Sequence, residues 1–383
     1  MYRLPMVLVA GLSDRTTSVN PTDFIGFHPG AGQITIREDV NNMEIFITGG
    51  AGFIGSNLAD HHLGRGDRVT ILDNLSRRGS DCNLEWLAER HGENLRFVRA
   101  DIRDYEALRG ALPPNAARVY HMAGQVAVTT SVTDPRDDFE INALGTFNVV
   151  EAVRAVAPEA ILFYASTNKV YGGMEDVRTA ESKDRHRFLD FPDGIPESYP
   201  LDFHSPYGCS KGCGDQYVRD YSRTYGLRTV VMRQSCIYGT RQLGVEDQGW
   251  VAHFCIAARY GRPITIYGDG RQVRDVLWID DLVAAYGSAA ERIDIASGQI
   301  YNLGGGPDNT MSIWAEFGPI LSQLAGRDIP VARADWRVGD QRVFVSDIHK
   351  AERELGWRPR VSVRDGIERL WRWVGDNPQL FHP

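Results

Sequence analysis

A doubly wound α/β sheet, parallel and covered by helices on both faces, is the architecture this sequence predicts, followed by a smaller C-terminal α/β lobe. Three observations predict it. From Met43 onward, short apolar runs alternate with helical patterns, the rhythm of parallel strands joined by covering helices. The first run, Met43-Glu-Ile-Phe-Ile-Thr48, leads into Gly49-Gly-Ala-Gly52-Phe53-Ile54-Gly55. Glycines at that spacing let the backbone turn tightly, approach a pyrophosphate and pack a helix onto the strand. The second run ends on Asp73, close to the ~20-residue spacing at which a carboxylate reaches the ribose hydroxyls of a dinucleotide. A glycine triplet alone is weak evidence; the strand before it and the acid after it give it meaning.

Residues 1–42 come first and differ in kind. Positions 1–10 are mildly apolar but too short for the centre of a secretory signal, and 11–42 are rich in Gly, Thr, Asp and Asn. They are expected to be an extension, disordered or non-catalytic. Residues 43–235 are expected to form the dinucleotide-binding domain. Its strands are read at 44–48, 68–72, 95–99, 118–122, 160–165 and 228–233, apolar runs of a length suited to buried strands. Between them, helical patterns run over 53–65, 142–157 and 206–225. Beyond residue 236 the rhythm breaks, and short runs at 264–267 and 300–303 are separated by loops rich in Gly, Arg and Asp. Residues 236–383 are therefore expected to be mainly a substrate lobe, with some segments returning to the first domain.

Composition narrows the function classes. A chain that is 43% hydrophobic and 24% charged is an ordinary globular protein. A net charge of −8 argues against a nucleic-acid partner, which calls for concentrated Lys and Arg. No apolar run approaches the ~18 residues of a membrane helix, so no membrane partner is expected. Cysteines at 82, 209, 213, 236 and 255 fit no zinc or redox spacing, so no metal is expected, and reduced thiols point to the cytoplasm.

The reactive groups are read at two places. Ala165-Ser166-Thr167-Asn168-Lys169-Val170-Tyr171-Gly172 follows an apolar strand, so its hydroxyls emerge at the strand's C-terminal end, where open α/β sheets bind ligands. Tyr207-Gly-Cys-Ser-Lys211 opens a helix after Pro206, and a Tyr and a Lys four apart share a helix face. Lys211 is then expected to sit beside the phenol and lower its pKa towards neutrality, making Tyr207 a general base. In the first half of the site the charge of Asp73 would repel a 2′-phosphate, which favours NAD, while Arg77 and Arg78 keep NADP open.

With these residues in view, the chain resembles the extended short-chain dehydrogenase/reductase superfamily, in its sugar-nucleotide epimerase and dehydratase branch, from about Met43 to Trp373. Supporting strings are Asp101-Ile102, His121-Met-Ala123-Gly124, Asn142-Ala-Leu-Gly145-Thr146, Arg274-Asp275-Val276, Arg337-Val-Gly-Asp340 and Leu355-Gly-Trp-Arg-Pro359. Gly124-Gln125-Val126-Ala127, Ser166–Gly172 and Asp202-Phe-His-Ser-Pro-Tyr-Gly-Cys-Ser-Lys-Gly212 resemble more narrowly the CDP-sugar 2-epimerases of that branch.

The resemblance implies a Rossmann-type fold, NAD as cofactor, a nucleotide-sugar substrate and a homodimer built on helices 138–157 and 206–225. Gly49, Gly52, Phe53, Ile54 and Gly55 would cradle the pyrophosphate. Asp73, Asn74 and Ser76 would hold the adenosine ribose, and Asp101 with Ile102 would flank the adenine. Ala123, Gln125 and Asn142 would lie along the nicotinamide half, with Tyr207 and Lys211, which also bonds its ribose. Thr167, Tyr207 and Lys211 would be catalytic. Thr130, Thr167, Asn168, Arg241, Gln242, Arg274, Arg337 and Asp340 would face the substrate, Arg274 and Arg337 gripping its diphosphate unless they serve solvation or pair with acids such as Asp275 or Asp340.

Three departures matter. Cys236 stands where many relatives carry an Asn that helps hold the substrate, leaving that contact absent or supplied by Ser235 or Gln242. Gln125 replaces a small residue and is expected to add an amide near the sugar or nicotinamide. Asn168-Lys169 also stands where a dehydratase carries Asp-Glu, which disfavours elimination of water and leaves net epimerisation. The resemblance places it at C2 of a CDP-hexose of the CDP-paratose or CDP-glucose type. Alternatives are a UDP- or GDP-hexose 4-epimerase, a net dehydrogenase or reductase, and a non-catalytic NAD-sensing regulator.

Overall fold

The computed structural model describes residues 42–337 and 340–381; of the expected extension, 1–41 lie outside them. Seven parallel strands form the central sheet: β1 Glu44–Thr48, β2 Arg68–Asp73, β3 Leu95–Arg99, β4 Arg118–His121, β5 Ile161–Thr167, β6 Arg228–Gln234 and β7 Gln299–Leu303. Their order is β7-β6-β5-β4-β1-β2-β3. The chain enters at β1, builds outward through β2 and β3, then crosses to β4 on the other side of β1. Alternate residues of each strand point to opposite faces. Ile45 and Ile47 pack with Leu58, Ala59 and Leu63 of helix α1, Phe53–Gly64. Phe46 packs on the other side with Val149, Val150 and Val153. Burial of both faces is why these strands read as unbroken apolar runs.

Helix α2 covers Ser80–His91 and α3 covers Tyr105–Ala111. The helix expected at 142–157 begins earlier. Short helices α4 Val128–Thr133 and α5 Pro135–Phe139 lead into a π-helical turn, Glu140–Leu144, which continues as α6, Gly145–Val156. Asp134 starts α5 by accepting the Asp137 N–H, and Pro135 at the first turn has no N–H to leave unpaired. The long α7, Ser205–Tyr225, ends at Gly226 in the left-handed region.

The segment at 300–303, read as part of the lobe, is the core of β7 and closes one edge of the main sheet beside β6. The remaining C-terminal strands are short. Val273–Asp275 pairs with Thr310–Ser312 and Val343–Phe344, and Ile237–Tyr238 pairs with Leu277–Trp278. Among the described residues no helix is long and apolar enough to cross a membrane.

Candidate active site

The reversal of strand order at β1, with β2 on one side and β4 on the other, opens a cavity of about 560 Å³ beyond the strand ends. Gly49, Gly52, Phe53, Ile54 and Gly55 line it, as do Asp73, Asn74, Ser76, Asp101, Ile102, Ala123 and Gln125. Gly49 has φ +69, and a Cβ there would lie 2.5 Å from the Ala123 nitrogen. A Cβ on Gly55 would lie 2.2 Å from the Gly49 carbonyl oxygen, so only hydrogen fits. Helix α1 starts with no side-chain cap and no acidic residue in its first turn. Its unpaired N–H groups and positive dipole end suit a phosphate.

The acidic side of the cavity is equally well built. Asp73 accepts hydrogen bonds from the Ala51 and Leu75 nitrogens at 3.1 and 2.8 Å, while burial raises its carboxyl above the usual range. Asn74 donates to Asp101 at 2.9 Å, and Arg103 beside Asp101 holds that carboxyl down at about 2. Phosphate donors at one end and ribose acceptors at the other fit a dinucleotide.

Thr167 is the last residue of β5, two residues beyond the strand end read from the sequence. Its hydroxyl donates to Asn168 Oδ1 at 3.3 Å and accepts from the Lys169 nitrogen at 3.2 Å, which starts a 3-10 turn. The strand end is anchored from below. Asp215 of α7 accepts from Ser166 Oγ at 2.7 Å and from Arg233 of β6 at 2.9 and 3.0 Å.

Tyr207, Lys211 and Thr167 are all buried, at 8, 5 and 6% exposure. Burial pushes the Tyr207 phenol up to about 12, with Asp138 adding to it and the Thr167 hydroxyl and Arg77 charge opposing it. Burial pushes Lys211 down to about 7, against Asp215 and Asp138. The expected neighbourly lowering of Tyr207 by Lys211 is therefore corrected. Lys211 Nζ lies 4.3 Å from the centre of the Tyr164 ring, and desolvation outweighs charge at the phenol.

One further expectation changes. Gln125 lines the cavity with its amide engaged, donating to the Ala127 carbonyl at 2.8 Å and to Asp138 at 3.1 Å. Asn142 does not line the cavity. It is buried behind Gln125, donating to the Gln125 carbonyl at 2.9 Å and accepting from its nitrogen at 3.0 Å. Asp138, which the sequence reading passed over, joins these groups; its signal was an acid one helical turn before Asn142, indistinguishable from a solvated face.

The substrate-side residues scatter. Thr130, Arg241 and Gln242 line the cavity, whereas Thr167, Asn168, Arg274, Arg337 and Asp340 do not. Arg274 pairs with Asp340 at 2.7 Å and donates to the Gln341 and Val273 carbonyls. Arg337 pairs with Asp247 at 3.2 Å and lies 4.0 Å over the Tyr267 ring. Both arginines thus take up the acid-paired alternative, and Asp340 serves Arg274. Arg241, expected on the substrate, stacks 3.8 Å over Trp86 of α2. Of the two proposed stand-ins for the missing Asn, Ser235 is spent on Asp275 at 2.6 Å. Gln242 donates to the Ile237 carbonyl at 3.2 Å, and its oxygen has no partner. Lys169 is held near Arg274, and burial and that charge bring it to about 8.

Residues 240–244 strap this cavity. Asn57 and Asn83 donate to the Thr240 and Arg241 carbonyls at 3.2 and 3.3 Å, and Leu243 packs where Gly79 has no side chain. Asn83, unforeseen in the sequence, is buried with an unpartnered carbonyl oxygen beside the cavity.

The family model for GDP-mannose 4,6 dehydratase matches residues 46–370. The chain belongs to that family. CDP-paratose 2-epimerase of Salmonella typhi is 44% identical over 340 residues, 87% of this chain and 99% of that protein. The dTDP-glucose 4,6-dehydratase of Streptomyces venezuelae, solved with NAD bound, aligns with a TM-score of 0.76 at 30% identity, over 89% of this chain and 99% of its own. UDP-glucose 4-epimerase of Thermotoga maritima, solved with UDP-glucose, aligns at 0.75 with 29% identity, over 88% and 100%. This member of the GDP-mannose 4,6 dehydratase family is accordingly an enzyme of the sugar-nucleotide epimerase and dehydratase kind.

Proposed function

We propose that the enzyme epimerises a nucleotide-activated hexose, at C2 of a CDP-sugar, with NAD retained in the 560 Å³ cavity. The observation that carries the reading is Asn168-Lys169 directly after Thr167, where elimination would need a carboxylic acid pair. The 44% identity to a CDP-paratose 2-epimerase supports CDP and C2. Gly49, Gly52, Gly55 and the start of α1 hold the pyrophosphate; Asp73 with Asn74 and Ser76 holds the adenosine ribose; Asp101 and Ile102 flank the adenine.

NAD, when bound, supplies a reversible hydride acceptor. Tyr207 takes the proton of the sugar hydroxyl at its phenolic oxygen, and Thr167 Oγ1 orients that hydroxyl. The resulting ketone turns over in the pocket and is reduced on its opposite face, Tyr207 returning the proton. Lys211 holds positive charge one helical turn away. Arg274 and Arg337 must exchange carboxylate partners to grip a diphosphate, which their planar forks can do. Phe139, Leu144, Phe147 and Tyr217 are exposed on the outer face of the α5–α6 and α7 helices, and we read them as the face of a homodimer.

Incubation of the purified protein with CDP-, UDP- and GDP-hexoses, without added cofactor, tests the reading. It predicts C2 epimers of a CDP-sugar. Products altered at C4 from UDP- or GDP-hexoses would replace it with a 4-epimerase.

A further inference from the structure

Asp138 is a buried carboxylate that the proposed chemistry leaves unused. It is 1% exposed, at the end of α5 immediately before the π-helical turn. Its oxygens are filled from three sides. One accepts from Gln125 Nε2 at 3.1 Å and Asn142 Nδ2 at 3.0 Å; the other accepts from Ser210 Oγ. Ser210 stands on α7 between Tyr207 and Lys211, and its hydroxyl lies 3.2 Å from the Tyr207 carbonyl oxygen. All three donors are neutral. Burial raises this carboxyl and so does neighbouring Asp137, while Ser210, Asn142 and the Lys211 charge oppose them; burying a carboxylate is costly and an amide would serve hydrogen bonding alone, so a carboxylate here calls for a reason.

The reason lies next door. Facing Lys211 are Asp138, Asp215 of its own helix, His121 of β4 and the Tyr164 ring of β5. Facing Tyr207 are Asp138, Arg77, Thr167 and Tyr164. Burial keeps His121 and Tyr164 uncharged, and Asp215 is already bound to Arg233. That leaves Asp138 as the carboxylate near both groups without a cation of its own.

We propose that Asp138 is a positioning residue for the reaction: it ties the helix carrying Tyr207 and Lys211 to the Gln125 wall of the cavity, and it supplies the buried counter-charge that Lys211 requires. The π-helical turn suits this role, because such turns insert an extra residue that re-aims side chains near functional sites. Gln125, Asn142 and Ser210 converge on Asp138 from three elements, so the cavity wall and the reacting helix cannot shift independently.

The proposal rests on the roles given to Tyr207 and Lys211, not on the identity of the sugar. Its negative charge favours protonated Tyr207 and protonated Lys211 alike. In Asp138→Asn both limbs of the pH profile of kcat/KM should therefore move to lower pH, by ~0.5–1 unit. Ser210→Ala keeps the carboxylate, so its limbs should stay in place while kcat falls ~3–10-fold through looser placement of Tyr207. Asp138→Asn that lowers the height of the profile without moving its limbs would overturn the charge role, and Ser210→Ala with wild-type kcat would overturn the tie. Should the Asn variant not fold, Asp138→Glu decides: limbs in place support the proposal, limbs displaced to lower pH contradict it. Wild-type protein inactive on every nucleotide-sugar, or an active Tyr207→Phe, would instead count against the catalytic reading itself.

Discussion

At the scale of single residues, the groups proposed to react sit where burial works against their charged forms. Tyr207 at about 12 gains phenolate as pH rises, and Lys211 at about 7 loses its cation over the same direction, so activity should rise and then fall with pH. Tyr207→Phe removes one hydroxyl and should cut turnover ~10²–10⁴-fold with NAD still copurifying; near-normal turnover would remove Tyr207 from the mechanism. Away from the site, His121 accepts from Thr48 Oγ1 and donates to Thr146, whose own hydroxyl is given to the Asn142 carbonyl. Burial holds His121 down at about 3, and His62, between Asp67 and Tyr120, at about 4. Both pKa values are lower folded than unfolded. Their neutral forms are native, so stability is whole above pH ~6.5 and falls below it, by about 1.4 kcal/mol per pH unit for each histidine. Melting temperatures at pH 7 and 5 measure this; an unchanged value would contradict it. Thr167, Tyr207, Lys211 and Asp73 were legible because each lies in a local string whose spacing carries its meaning. The Arg241–Trp86 stack and the role of Asp138 were not, since Trp86 and Ser210 are remote in the chain.

At the scale of elements, the alternation of strand and helix was legible almost throughout, and the misses have physical causes. That some C-terminal segments return to the first domain was expected, but not that β7 is one of them, because a five-residue edge strand gives no sign of which sheet it joins. The helix read from 142 began at Pro135 because the π-helical turn breaks the 3.6-residue rhythm that pattern reading depends on. The strap at 240–244 was invisible as such, being loop contacts across distant segments. Its Arg241–Trp86 stack is worth ~1–2 kcal/mol, so Trp86→Leu should speed exchange of bound NAD by about 5–30-fold. An unchanged exchange rate would mean that the strap does not hold the cofactor. Val150 and Val153 of α6 pack inward, whereas Phe139 at 57% and Phe147 at 38% exposure point outward, the latter edge-on to Tyr217. Light scattering should then give twice the chain mass at micromolar concentration, and Phe147→Asp with Tyr217→Asp should give a monomer. A monomeric wild type would leave the apolar face without its assigned partner.

At the scale of the whole molecule, one strand order accounts for the site. The crossover from β3 to β4 opens the cavity between the glycine turn and the Gln125 wall, and the end of β5 and the start of α7 carry the buried Thr167 and Tyr207. We read the carboxylate of Asp73 as the group that selects NAD. Denatured wild-type protein should release NAD, and Asp73→Ala should weaken its retention by ~1.5–3 kcal/mol, whereas release of NADP would overturn that reading. In the proposed reaction the enzyme keeps its cofactor and, without an acid pair for elimination, returns the hydride it removes. The central claim is that hydride leaves C2 and returns to C2. A CDP-hexose deuterated at C2, incubated with the protein in ordinary water, should give the epimer at a reduced rate with its deuterium still at C2 and no net NADH; loss of the deuterium to solvent would contradict the account.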